Sequence, residues 1–290
     1  MSRRLEELNL IDNFLFSTAI DHEEIGPVLA KTVLETILQR EVTIGKIVSE
    51  KVIVPERPGL HGIRLDAFIQ ENAVNVAGGD AFDIEPDNKS REKKNLPRRA
   101  RYYHSKIDGK LLKSMSVYAN LPKLWVIFIT SYDPFGAGRM VYTVRRKCEE
   151  LPDLDYDDGD VTLYLYVKGK PGDNTPETIV QLLHFLGETN LENACNPSLR
   201  RLLEYTDGLR RDPEVKEAYM HWEVYIQSER NEAREEGREE GREEERKNTL
   251  REKARADEAE KQAEEAKKQV EEAEKQISLL KEQLSGLKTE

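Results

Sequence analysis

FDIEPDNKSREKKNLPRRARYYHSK, residues 82–106, begins as a strand and turns within a few residues into a run of basic side chains. Alternation gives Asp83 and Glu85 one face of that strand. Beyond Asn95 the spacing of Tyr102, Tyr103, Ile107, Leu111, Leu112, Met115 and Tyr118 predicts a long helix over residues 95–119. LWVIFITS, residues 124–131, follows as a continuous apolar run of the kind that forms a central strand covered on both faces. Strand, helix and buried strand in succession decide for an α/β or α+β domain around a mixed sheet.

The flanking sequence agrees. GIRLDAFIQ, residues 62–70, alternates, with Ile63, Leu65, Ala67 and Ile69 on one face and Arg64, Asp66, Phe68 and Gln70 on the other. It is expected to pair antiparallel with residues 81–86 through a connection holding a short strand of its own. Residues 42–54 read as a further strand, RMVYTVRR and VTLYLYVKG as two more, and residues 12–40 as two helices broken near Gly26-Pro27. TPETIVQLLHFL predicts a helix with Thr175 as N-cap and Pro176 at its first position.

Composition divides the chain. It has 290 residues, 38% hydrophobic and 35% charged, with a net charge of -11, and no aromatic residue follows Tyr225. Residues 1–225 are therefore expected to fold as the globular domain. Residues 226–255, with the repeat REEGREEGREEE, read as a charged Glu/Arg/Gly-rich helical linker whose glycines make a joint. Residues 256–290 read as a coiled coil. Ala256, Ala259, Ala263, Ala266, Val270, Ala273, Ile277, Leu280, Leu284 and Leu287 recur in steps of three and four, and Glu260, Lys267, Glu274 and Lys281 alternate in sign at e. A homodimer through this coil is the expected assembly, with orientation open.

Cys148 and Cys195 form no spacing motif and suit a reducing compartment. MSRRLEELNLIDNF lacks the apolar core of a secretory signal and no apolar run nears the length of a span, so a cytoplasmic protein without a membrane segment is expected. No nucleophile elbow, Walker loop, dinucleotide fingerprint or CxxC pair is present.

The acids carry the chemistry. Asp66 and Glu85, on adjacent strands, are placed to share a hard cation, and Mg²⁺ needs only one or two carboxylates besides water. Lys89, Arg91, Lys93, Lys94, Arg98, Arg99 and Arg101 would then supply phosphate contacts beside a site whose own charge repels phosphate. His104 has no His or Cys partner at metal spacing and reads as a helix-surface or phosphate-side residue.

GIRLDAF, FDIEPDN, LPRRARYYHSKID, the strand within LPKLWVIFIT and DPFG, taken in order over residues 8–190, resemble the PD-(D/E)XK nuclease family transposases, which include the recombination-promoting nucleases. The resemblance implies a restriction-endonuclease-like core: a mixed sheet flanked by helices, with acids that bind Mg²⁺ or Mn²⁺ for hydrolysis of DNA. Asp66 matches the first acid of the family motif and Glu85 the acid of its E-x-K element. Asp87 stands where Lys or Gln is usual, which makes it a further ligand or a base and leaves Lys89, Lys93, Arg98 or Arg99 to supply the missing cation. Glu35 matches an accessory acid. The departure at Asp87 also keeps open a degenerate nuclease fold that binds DNA or protein without cutting, and the coil keeps open an oligomerising scaffold.

Overall fold

The computed structural model describes residues 3–53, 63–72, 79–112 and 117–286. The chain divides into two compact units, Met1–Trp222 and Glu223–Glu290.

The first unit is built on strand β4 (Leu124–Thr130), whose side chains are almost all buried, as the unbroken apolar run requires. Strands β3 (Ala81–Asp87) and β6 (Asp160–Tyr166) lie parallel to it on either side. Strands β1 (Ile44–Ile53) and β2 (Ile63–Glu71) extend the β3 side antiparallel, and β5 (Val141–Val144) closes the other edge antiparallel to β6. The result is one six-stranded mixed sheet of order β1-β2-β3-β4-β6-β5.

Helices cover both faces. Helices α1 (Asn13–Asp21), α2 (Ile25–Leu38), α4 (Glu177–Gly187) and α5 (Pro197–Arg211) share one core with Ala67, Ile69, Phe82, Ile84, Ile127 and Leu165. On the opposite face α3 (Leu96–Leu111) sets Leu96, Ala100 and Ile107 against Phe68, Ala81, Val126, Phe128 and Tyr164. At roughly 2 kcal/mol for each large apolar side chain buried, Leu96 and Ile107 alone pin both ends of α3 to the sheet. That face also carries the acids of β3.

Several expectations shift. The first helix pair breaks at His22, and Gly26-Pro27 sit in the first turn of α2, where a missing N–H costs nothing because that turn has no intrahelical acceptor for it. The α3 helix stops at Leu111 rather than residue 119, and Tyr118 begins a separate 3-10 turn, 84% exposed. Pro176, not Thr175, is the N-cap of α4, because the Thr175 hydroxyl instead accepts the Gly172 N–H at 2.8 Å. Helix α5 was absent from the expected order, although Asn196-Pro197 is a start signal: the Asn196 side chain accepts the Leu199 N–H at 3.0 Å. The short strand expected between β2 and β3, and Met115, fall at least partly outside the described residues.

Helix α6 (Pro213–Gly286) starts in the first unit, where the Asp212 carboxylate accepts the Glu214 N–H at 2.7 Å. In the second unit it runs without a break through Gly237 and Gly241, so the expected joint is continuous helix. Among the described residues no helix is long and apolar enough to cross a membrane.

Candidate active site

Period two places Asp83, Glu85 and Asp87 on the α3 face of β3, and register sets them beside Val126, Phe128 and Thr130 of β4. All three acids are buried. On the other side the β2–β3 pairing ends at Ala67 and Ile84, one residue short of Asp66 and Glu85, and there the Asp66 backbone N–H donates to the Glu85 side chain, Oε1, at 2.8 Å. Asp66 itself is half-buried, so the acid cluster opens toward solvent on its side.

Burial pushes the Glu85 carboxyl well above its ordinary range, and the negative charges of Asp83 and then Asp66 push it further, against the pull of the Asp66 N–H and Arg99. Burial and then Glu85 likewise raise the Tyr103 phenol, which packs 6.1 Å from the Phe128 ring. Burial pushes the Tyr164 phenol up to about 12. Glu85 is thus a hard oxygen donor whose ionisation both burial and neighbouring like charges oppose.

Asp87 has another arrangement. Its Oδ2 lies 2.5 Å from Arg99 Nη2, and its Oδ1 accepts the Lys89 N–H at 2.7 Å. Arg99 stacks over Phe128, 4.9 Å from the ring centroid. Burial opposes its charge, Asp87 supports it, and the balance holds the guanidinium above its ordinary pKa. Burial and then Asp87 raise the Tyr132 phenol as well. Arg99 thus differs from the other expected DNA contacts: it is a partly buried cation paired with Asp87, one helical turn into α3.

The other six basic residues, Lys89, Arg91, Lys93, Lys94, Arg98 and Arg101, are exposed on a 3-10 turn (Ser90–Asn95) and the first turns of α3. Among the described residues none of them forms an ion pair. They adjoin the C-terminal end of β3, the end at which parallel strands usually present ligand sites.

Two expected residues lie elsewhere. Glu35 accepts the Val42 N–H at 3.1 Å and fastens the segment that enters β1. His104 is not on the helix surface: it is buried, with Nε2 2.9 Å from the Thr162 hydroxyl and Nδ1 2.8 Å from Asp160. It belongs to a polar cluster that ties α3 to β6, in which Arg146 reaches both Asp158 and Asp160.

Asp108 adjoins that cluster and yields a pH prediction. Burial first, and then Asp160, push its carboxyl from 3.8 up to about 6. Between those values the folded state keeps a proton that the unfolded chain has lost, so stability falls as pH rises through the window and stays lower above it. Asp108→Asn should therefore be nearly neutral at low pH and stabilising by about 1 kcal/mol at alkaline pH, a figure discounted for the half-exposed carboxyl. Urea unfolding at both ends of the window tests this, and an equal effect at the two pH values would contradict it.

DPFG gains a structural role that spacing did not suggest. Asp133 accepts the N–H groups of Phe135, Gly136 and Gly138 at 3.1, 2.9 and 2.7 Å. Gly136 and Gly138 have φ of 77° and 68°, which explains glycine at both. The loop lays Phe135 edge-on against Tyr142 and Tyr164.

As a cation site, the donor chemistry of Asp66 and Glu85 is suitable: all-oxygen, on rigid adjacent strands, with like-charge stress that a divalent ion relieves. Among the described residues, no group of three or more His, Cys, Asp or Glu side chains is gathered for a metal ion. Comparison with protein-family models, curated proteins and solved structures found no match to this chain.

Proposed function

We propose that the first unit is a divalent-metal-dependent DNA endonuclease of the PD-(D/E)XK type, acting in recombination or transposition. The observation that carries this reading is the union of Asp66 and Glu85 by the 2.8 Å contact of the Asp66 N–H with Glu85 Oε1, beside an exposed basic run. Asp66 and Glu85 would hold Mg²⁺ or Mn²⁺. When bound, such an ion supplies a Lewis acid for the scissile phosphate and lowers the pKa of water. Lys89, Arg91, Lys93, Lys94, Arg98 and Arg101 would hold the strand by its phosphates without reading bases. Arg99 supplies the interior positive charge that position 87 lacks, and Asp87 orients that guanidinium instead of binding a metal.

Supercoiled plasmid incubated with the full chain tests the reading. Nicking or linearisation should require Mg²⁺ or Mn²⁺, stop with EDTA, and fall about a hundredfold or more in Asp66→Asn, whose fold should be retained. Absence of cutting by folded protein under both ions would defeat it.

A second reading has its own support. Asp83 and Glu85 lie under α3, and Asp87 is closed by Arg99, which favours a domain that binds DNA without cutting it. Such a domain would retard DNA with a steep salt dependence and leave plasmid intact in every metal.

A further inference from the structure

The seam of α6 has a pattern that neither unit uses. Through residue 278 the described side chains from Ala256 onward are exposed, with Val270 at 57% and Ile277 at 52%. An isolated helix gains nothing from apolar residues held at a and d. In heptad register Ala256, Ala263, Val270 and Ile277 occupy a; Ala259, Ala266 and Ala273 occupy d.

We infer that α6 pairs with the same helix of a second copy in antiparallel orientation, centred between Glu271 and Glu272. Antiparallel pairing sets each a residue against a d residue of the other copy. Val270 then meets Ala273 and Ile277 meets Ala266, and the sequence continues the rule outward with Ala263 against Leu280 and Ala259 against Leu284. Every layer joins one alanine to one large aliphatic residue, so the two helices keep a uniform separation. A parallel pair in register would instead put Ala on Ala at residues 256, 259, 263, 266 and 273 and Ile on Ile at 277, tapering the interface from one end to the other.

Charge agrees independently. Antiparallel helices bring e against e and g against g. Lys267 then faces Glu274 and Glu260 faces Lys281, opposite in sign both times, while Gln262 and Gln269 face Gln283 and Gln276. In a parallel pair the same e charges would face only glutamines at g. The inference requires nothing of the nuclease proposal. It does set the two copies of Ala256 about 45 Å apart along the coil, so the coil would not by itself bring its two ends to one point.

The test uses the full chain with Cys148 and Cys195 replaced by serine, carrying either Ala266→Cys or Ile277→Cys. After subunit exchange and oxidation, disulfide-linked dimer should form in the mixture and in neither variant alone. Each variant linking to itself means parallel helices and overturns the inference, as does monomer at tens of micromolar in sedimentation equilibrium of the parent chain. Lys267→Glu should raise the dissociation constant at least tenfold, and the double variant Lys267→Glu/Glu274→Lys should restore it. Failure of that rescue likewise refutes the e-to-e contact.

Discussion

Arg99→Ala is expected to lower the unfolding free energy of the globular unit by about 3–4 kcal/mol, since it strands a buried charge. The Asp87 side chain is only 1% exposed, and Arg99 is its single cationic partner among the described residues. With the guanidinium gone, the Lys89 backbone N–H and the neutral Tyr132 phenol are left beside the carboxylate. Loss of the stack on Phe128 adds to the effect. A residue that only touched phosphate would behave otherwise, because surface substitutions usually stay within about 0.5 kcal/mol. Urea denaturation separates these outcomes without any assay of function. The double variant Asp87→Asn/Arg99→Met should recover most of the loss, since the amide still accepts the Lys89 N–H and no charge is left buried. A loss below about 1 kcal/mol for Arg99→Ala would show that Asp87 does not depend on it.

That pair also marks where the sequence stops being readable. Strands β2, β3 and β4 were legible because period two and an unbroken apolar run are local properties, but the apolar face expected of β2 is divided: Ile63 and Leu65 join the core on the α3 side with Phe68, and Ala67 and Ile69 the opposite core. That Asp66 lies near Glu85 followed from antiparallel pairing of β2 with β3, although the contact made is from the Asp66 backbone N–H to the Glu85 carboxyl. What could not be read was which cation turns inward. In a run of seven Lys and Arg, spacing offers no reason for Arg99 alone to face the sheet, except that it precedes Ala100 in the stripe Leu96, Ala100, His104, Ile107. The same stripe held the missed signal for His104, which occupies an apolar position of α3 and so had to be buried. Helix α5 is poorly marked in the sequence because Arg, Glu and Asp crowd it, although Leu199, Leu202, Leu203 and Leu209 recur at helical spacing. Burial of the acids is a tertiary effect: alternation assigns Asp83, Glu85 and Asp87 to one face, and only the docking of α3 removes that face from water.

Glu85→Gln should then produce opposite changes in stability and activity. Glu85 is buried beside two other acids, so its carboxylate form is disfavoured by burial first and by Asp83 and Asp66 next. An amide of the same shape removes both penalties. Its oxygen can still accept the Asp66 N–H, and its NH₂ group becomes a donor toward neighbouring carboxylates. A gain of about 1–2 kcal/mol in unfolding free energy is expected, the range typical when strain held for function is released. Metal-dependent cleavage should at the same time drop by about a hundredfold or more, because a neutral amide replaces one of the two carboxylates on which the cation relies. The joint result is what distinguishes a functional acid from a structural one. A purely structural Glu85 would leave cutting intact however stability moved, and a variant that lost both stability and cutting would point to a carboxylate required by the fold. Only a more stable, inactive protein identifies Glu85 as a carboxyl retained at the expense of stability for the sake of chemistry.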